Sequence, residues 1–92
     1  MKPLIAINFK AYESATGENA VNLAKIAAEI SDKHGVKIIL AVQAADIYRI
    51  SENCDLDVFA EHIDTADYGA HTGATLAETV KAAGAKGTLI NH

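Results

Sequence analysis

The chain of 92 residues is 50% hydrophobic, a length and composition that suit one globular unit with a single modest core. Its formal net charge is −4 and its lysines are scattered among carboxylates, which argues against nucleic-acid or anionic-membrane binding because no basic face is concentrated. The apolar runs are much shorter than the roughly 18 residues that span a bilayer, so we expect no membrane anchor and no signal peptide.

Short β-rich runs alternate with longer stretches of helical periodicity along the chain. In chain order, the elements are a strand at 3–9, a helix at 17–33, a strand at 37–42, a helix at 45–52, a strand at 57–61, a helix at 76–83 and a strand at 87–90. This alternation is typical of βα units around a parallel sheet, so the sequence predicts an α/β fold of the order βαβαβαβ. Gly35 and Gly84 provide helix stops, and Thr75 with Glu78 has the spacing of a capping box.

Polar side chains lie at the carboxyl end of every predicted strand. They are Asn8 and Lys10, Gln43, Glu61 and His62, and Asn91 and His92. In parallel α/β folds the loops at these carboxyl ends open onto the ligand site. Each residue taken alone is explained as a structural polar group at the solvent border. The combination of a lysine two residues after an asparagine at the end of one strand and a histidine at the end of another instead suits proton transfer on a carbonyl compound, with a cation to hold an oxyanion.

A metal site is an alternative in the segment after the third predicted strand. His62, Asp64 and His71 are potential ligands, but their spacing matches no standard zinc site. A solvated loop with incidental histidines explains them better, so we predict no metal. Cys54 is the single cysteine, which excludes an internal disulfide and suits a cytoplasmic protein.

Four segments carry a family resemblance. They read INFKAY at 7–12, AEHID at 60–64, GAHTG at 69–73 and AGAKGTLINH at 83–92. In this order they resemble the first strand, third strand, interlocking loop and fourth strand of archaeal-type triose-phosphate isomerases, over essentially the whole chain. The resemblance implies a (β/α)8 TIM-barrel type of fold, of which residues 1–92 form a single N-terminal half-barrel with parallel strands.

The resemblance also implies a reaction, the interconversion of dihydroxyacetone phosphate and glyceraldehyde 3-phosphate in glycolysis and gluconeogenesis, without metal or cofactor. By position, Asn8 and Lys10 match the substrate-binding asparagine and lysine, and His92 matches the electrophilic histidine that acts with Lys10 in catalysis. This family is itself the usual example of a glutamate base working with a neutral histidine. No carboxylate of the chain matches that base, so we expect the isolated chain to be inactive.

The partners that the resemblance implies are a phosphorylated triose and further protein chains. Thr72 and Gly73 match the loop that reaches a neighbouring subunit, which implies a homo-oligomer. An open half-barrel also leaves strand edges and a sheet face uncovered, so we expect a second copy or a complementary C-terminal half-barrel to cover them.

Three positions depart from the family pattern. Val42 replaces a usual proline, Glu61 a glutamine and Ala74 a histidine. The carboxylate of Glu61 either pairs with Lys10, in competition with a substrate phosphate, or bonds across the rim. Two other functions stay open at this point: a noncatalytic half-barrel scaffold or self-assembling module, and an unrelated α/β module that binds phosphate.

Overall fold

The computed structural model describes residues 3–90, which form a four-stranded parallel sheet in the order β1-β2-β3-β4. The strands are β1 Leu4–Asn8, β2 Lys37–Val42, β3 Asp57–Ala60 and β4 Gly87–Thr88. The helices are α1 Glu18–His34, α2 Ile47–Ser51 and α3 Ala77–Ala83, with 3-10 turns at Glu13–Ala15 and Ala44–Asp46. The predicted order βαβαβαβ is therefore confirmed. None of the described helices has the length and apolar character needed to cross a membrane.

The core lies between one face of the sheet and the helices. Its largest fully buried side chains are Leu40, Val42, Ile47, Ile50 and Val58. The register places Leu40 beside Val58, and because successive strand residues point to opposite faces, this row faces the helices. The α1 helix meets the sheet through small buried residues, Ala20, Ala24 and Ala27. Their size lets the helix approach the strands closely.

Two details of the sequence prediction are wrong near the third helix. Thr75 is not a capping residue, because α3 begins at Ala77 with Leu76 as its N-cap and no side-chain cap hydrogen bond. The backbone N–H of Thr75 instead donates to Asp64 Oδ2 at 2.7 Å. The strand predicted at 87–90 is shorter, since β4 ends at Thr88, although the Leu89 N–H still reaches the Ala60 carbonyl at 3.0 Å. A hydrogen bond within the preceding loop thus prevails over the local capping pattern.

The β1 edge of the sheet carries exposed apolar side chains. Ile5 and Ile7 of β1, with Leu23, Ile26 and Ile30 of α1, line a groove of about 380 Å³. We call this surface the β1–α1 groove. Edge strands normally avoid such exposure because unpaired backbone groups beside apolar residues invite association.

Candidate functional site

A cavity at the carboxyl ends of β1 and β3 brings together two of the predicted site residues, Asn8 and Lys10, and the polar strand-end residue Glu61. Asn8, Lys10 and Glu61 line it with Ala11 and Leu89, and its volume is about 350 Å³. Asn8 is the last residue of β1 and Glu61 directly follows β3, so the sheet itself sets their separation. The expected meeting of polar strand ends at one rim therefore holds for these residues.

Lys10, two residues after the end of β1, has an unusual backbone conformation. Its φ of 54° makes it the one non-glycine residue of the described chain with a positive φ. For an L-residue this left-handed region costs roughly 1–2 kcal/mol. The conformation is supported because the Lys10 N–H donates to Asn8 Oδ1 at 2.9 Å, while the preceding N–H of Phe9 donates to the Ala41 carbonyl at 2.8 Å. Strain held in place by neighbours is typical of functional positions.

The charged end of Lys10 is exposed beside an aromatic ring. Its Nζ lies 5.9 Å from the centroid of the Tyr12 ring, a distance at which the ring quadrupole attracts a cation. An ammonium group in this cavity is suited to hold an oxyanion. Glu61 lines the same cavity, so an anion bound beside Lys10 also meets a carboxylate.

Two other polar strand-end residues, Gln43 and His62, take part in contacts elsewhere. Gln43 Nε2 donates to Thr16 Oγ1 at 2.9 Å. His62 Nε2 lies 2.7 Å from Asp64 Oδ1. Neither Gln43 nor His62 lines the cavity that contains Lys10. Asn91 and His92, the latter predicted as the electrophile, lie outside the described residues.

The loop between β3 and α3, residues 61–76, is closed at its base by Asp64. The Asp64 N–H donates to the Thr75 carbonyl and the Thr75 N–H donates to Asp64 Oδ2, both at 2.7 Å. The Thr75 N–H, and then the hydrogen bond with His62, hold the pKa of Asp64 below its ordinary value because both favour the ionised form. Thr72 and Gly73 lie exposed in this loop, outside the cavity, and their contact with a neighbouring subunit stays a prediction.

The alternative of a metal centre depended on His62, Asp64 and His71 coming together. Within residues 3–90, no group of three or more His, Cys, Asp or Glu side chains is arranged to hold a metal ion. His62 and Asp64 do meet, but as a hydrogen-bonded pair at the base of the loop.

Sequence reasoning missed the role of Asp46, which holds the residue before α1. Asp46 is only 4% exposed, and its Oδ2 accepts the Gly17 N–H at 3.1 Å. The sequence prediction placed Asp46 inside the second helix, whereas it ends a 3-10 turn before α2. The sequence did offer one signal, since Asp46 stands between the apolar residues Ala45 and Ile47. A carboxylate buried among apolar residues is costly unless it has a hydrogen-bond partner.

Comparisons with known proteins extend over the whole described chain. The family model described as Triosephosphate isomerase matches residues 3–92. A triosephosphate isomerase of Methanothermus fervidus is 52% identical over 91 residues, which are 99% of this chain and 41% of that protein. A triosephosphate isomerase of Saccharolobus solfataricus is 57% identical over 90 residues, 98% of this chain and 40% of that protein.

A solved structure agrees with these sequence relatives. The crystal structure of triosephosphate isomerase from Bartonella henselae superposes with a TM-score of 0.78 at 30% identity, covering 100% of this chain and 38% of that chain. The chain therefore spans about 40% of the length of the curated relatives.

Proposed function

Because the chain belongs to the triosephosphate isomerase family, we propose that it contributes Asn8 and Lys10 to a site that interconverts dihydroxyacetone phosphate and glyceraldehyde 3-phosphate. The observation that carries this proposal is that both residues line one cavity at the carboxyl edge of the sheet. The fold is that of a TIM-barrel fragment, with four parallel strands alternating with helices. Family membership excludes the alternative of an unrelated phosphate-binding module.

In the proposed reaction, Lys10 supplies positive charge and Asn8 supplies a polar amide. The Lys10 ammonium would offset the charge of the substrate phosphate and of the enediolate that forms during proton transfer. Asn8 supports Lys10 through its Oδ1, and its amide NH2 is the group offered to a ligand oxygen. His92, by resemblance, would donate a hydrogen bond to the substrate carbonyl oxygen. These roles divide the work between binding and polarisation.

The general base is the part of this reaction that the chain does not supply. Glu13 and Glu61 do not occupy the base position of the family pattern. We therefore propose that the chain is inactive alone and that a complementary C-terminal half-barrel provides the glutamate base. The reaction needs no metal or cofactor, and we propose that it takes place in the cytoplasm.

The β1–α1 groove is the surface where further chain would pack. It combines exposed apolar side chains on a strand and a helix that adjoin in the fold. Burial of a fully exposed large aliphatic side chain contributes about 1.5–3 kcal/mol, and these side chains are 37–54% exposed, so covering each of them gains about half of that free energy. We propose that a complementary half-barrel or another copy of the chain covers this groove.

A coupled isomerase assay tests the proposed activity. The chain is measured alone and after mixing with the separately produced remainder of the Methanothermus fervidus relative. We expect activity only in the mixture, and Lys10→Met should reduce it by about 100-fold or more because transition-state charge is left without its cation. Lys25→Met, which removes a lysine on the exposed side of α1, should leave the activity unchanged.

The second candidate function is a noncatalytic half-barrel scaffold or self-assembling module. The exposed β1–α1 groove favours it, since this surface promotes association whatever the chemistry of the rim. A stable homo-oligomer in sedimentation, together with an assembled but inactive mixture, would support the scaffold. Activity in the mixture that survives Lys10→Met would contradict the role proposed for Lys10.

A further inference from the structure

The loop that carries Lys10 has little apolar packing of its own. We call residues 9–17 the β1–α1 loop. Phe9 and Ala15 are buried, whereas residues 10–14 and Thr16 are exposed. Apolar contacts therefore fix the loop at isolated points, and the position of Lys10 between them depends on hydrogen bonds.

One of these hydrogen bonds comes from the connection that follows β2. Gln43 Nε2 donates to Thr16 Oγ1 at 2.9 Å, and Thr16 Oγ1 donates to the Tyr12 carbonyl at 2.7 Å. The centroid of the Tyr12 ring in turn lies 5.9 Å from Lys10 Nζ, within the range of a cation–π contact. A continuous series of contacts thus runs from the second βα connection to the charged group in the cavity.

A second hydrogen bond holds the far end of the same loop. Asp46 Oδ2 accepts the Gly17 N–H, and its other oxygen lies 3.9 Å from Arg49 Nε. Gly17 has φ 59° and ψ −127°, a conformation that L-residues avoid, and a Cβ there would lie 3.3 Å from Arg49 Nη1. A buried carboxylate is costly unless it is hydrogen-bonded, so this contact explains why Asp46 is stable in the interior.

Gln43 and Asp46 thus contact the β1–α1 loop although neither residue lines the cavity. We propose that Gln43 and Asp46 are positioning residues, which set the place of Lys10 through a latch made of the Gln43–Thr16 and Asp46–Gly17 hydrogen bonds. The inference rests on the proposed function in one respect, namely that Lys10 is the group that holds an anion. The latch makes the geometry of one strand end depend on the next βα unit.

Amide hydrogen exchange on the full chain tests the latch. Thr16→Val keeps the shape of an exposed side chain but removes both hydroxyl hydrogen bonds. We expect exchange at the hydrogen-bonded amides of Lys10 and Ala15 to accelerate by about tenfold, and the contact between Lys10 and the Tyr12 ring to weaken in NMR spectra. The Leu40 amide in the core should not change. Thr79→Val is the matched control, since the Thr79 hydroxyl bonds only to Leu76 within the first turn of α3.

Variants of Asp46 test the other half of the latch. Asp46→Asn keeps an acceptor for the Gly17 N–H and should preserve the Lys10 signals, whereas Asp46→Ala removes the acceptor and should disturb them. If Asp46→Ala unfolds the chain, Asp46→Asn decides this half of the latch, since disturbed Lys10 signals in that variant would overturn it. Unchanged Lys10 exchange and an unchanged Lys10–Tyr12 contact in Thr16→Val would overturn the latch, as would an equal effect of Thr79→Val.

A titration with inorganic phosphate separates the latch from the proposed function. In the unchanged chain, phosphate should shift the Lys10 signals, and Thr16→Val should weaken this response about threefold while phosphate shifts of Lys25 stay the same. Absence of a phosphate response at Lys10 in the unchanged chain would count against its role in anion binding. The exchange measurement would still support or overturn the latch by itself.

Discussion

Two loops at the carboxyl edge of the sheet are held in opposite ways. The β1–α1 loop is hydrogen-bonded to the connection that follows β2, through Gln43 and Asp46. The loop at 61–76 is instead closed on itself, because Asp64 joins Thr75 at its base and residues 67–73 are exposed. The first arrangement fixes a charged residue relative to the sheet. The second fixes only where the loop begins and ends, and leaves its tip available to another surface.

The largest expected effect comes from replacing a glycine in the β1–α1 loop. Gly17→Ala places a Cβ near Arg49 Nη1 in a backbone conformation that glycine favours, so we expect the free energy of unfolding to fall by about 1–3 kcal/mol. Gly73→Ala is the matched change in the loop at 61–76. The φ of Gly73 is 90°, but no atom lies within 4 Å of the position of the new Cβ. Its effect should be smaller. Urea unfolding midpoints compare the two, and equal losses would contradict the difference in packing.

Several features of the fold and of the candidate site could be predicted from the sequence. The alternation of strands and helices, the parallel order and the meeting of Asn8, Lys10 and Glu61 all follow from periodicity and from the general geometry of parallel sheets. These features depend on local pattern and on rules common to the fold class. Resemblance to the family then indicated which polar residues to consider for the reaction.

Neither the latch nor the closed base of the loop at 61–76 could be predicted from the sequence. Asp46 and Thr75 each matched a local helix pattern, the first as a residue inside a helix and the second as a capping residue. The Asp46 carboxylate instead accepts the Gly17 N–H, while the Thr75 N–H donates to the Asp64 carboxylate and the Thr75 carbonyl accepts the Asp64 N–H. Such bonds depend on how neighbouring units dock, and tertiary contacts of this kind override local propensity.

A smaller effect is expected when the base of the self-closed loop is opened. Asp64→Ala removes the acceptor for the Thr75 N–H, so amide exchange at Ala74 and Thr75 should accelerate by about tenfold. The melting temperature should change little, because residues 67–73 contribute no buried side chain to the core and the variant keeps Ile63, the loop residue that packs against it. Asp67→Ala, which removes an exposed carboxylate from the same loop, is the control. A loss of cooperative melting in Asp64→Ala would show that this loop supports the core.

The smallest effect is a dependence of the loop base on pH. The pKa of Asp64 is lowered from the ordinary value of 3.8, first by the Thr75 N–H and then by the hydrogen bond with His62. The closed base therefore binds a proton less readily than the open one, and its stabilisation is fully present above pH 3.8. As the pH falls through the lower pKa of the closed form, this stabilisation is lost.

An NMR titration of the Thr75 amide reads this change directly. Its signal should shift with a midpoint below 3.8, and the shift should disappear in Asp64→Asn, which retains the side-chain shape but does not ionise. A midpoint above 3.8 would contradict the closed base. Because the Lys10 amide is bonded to the neutral Asn8 side chain, its signal should not follow the same midpoint. Independent titration of these two amides would establish that the loops are held by separate interactions, even though they follow strands of one sheet.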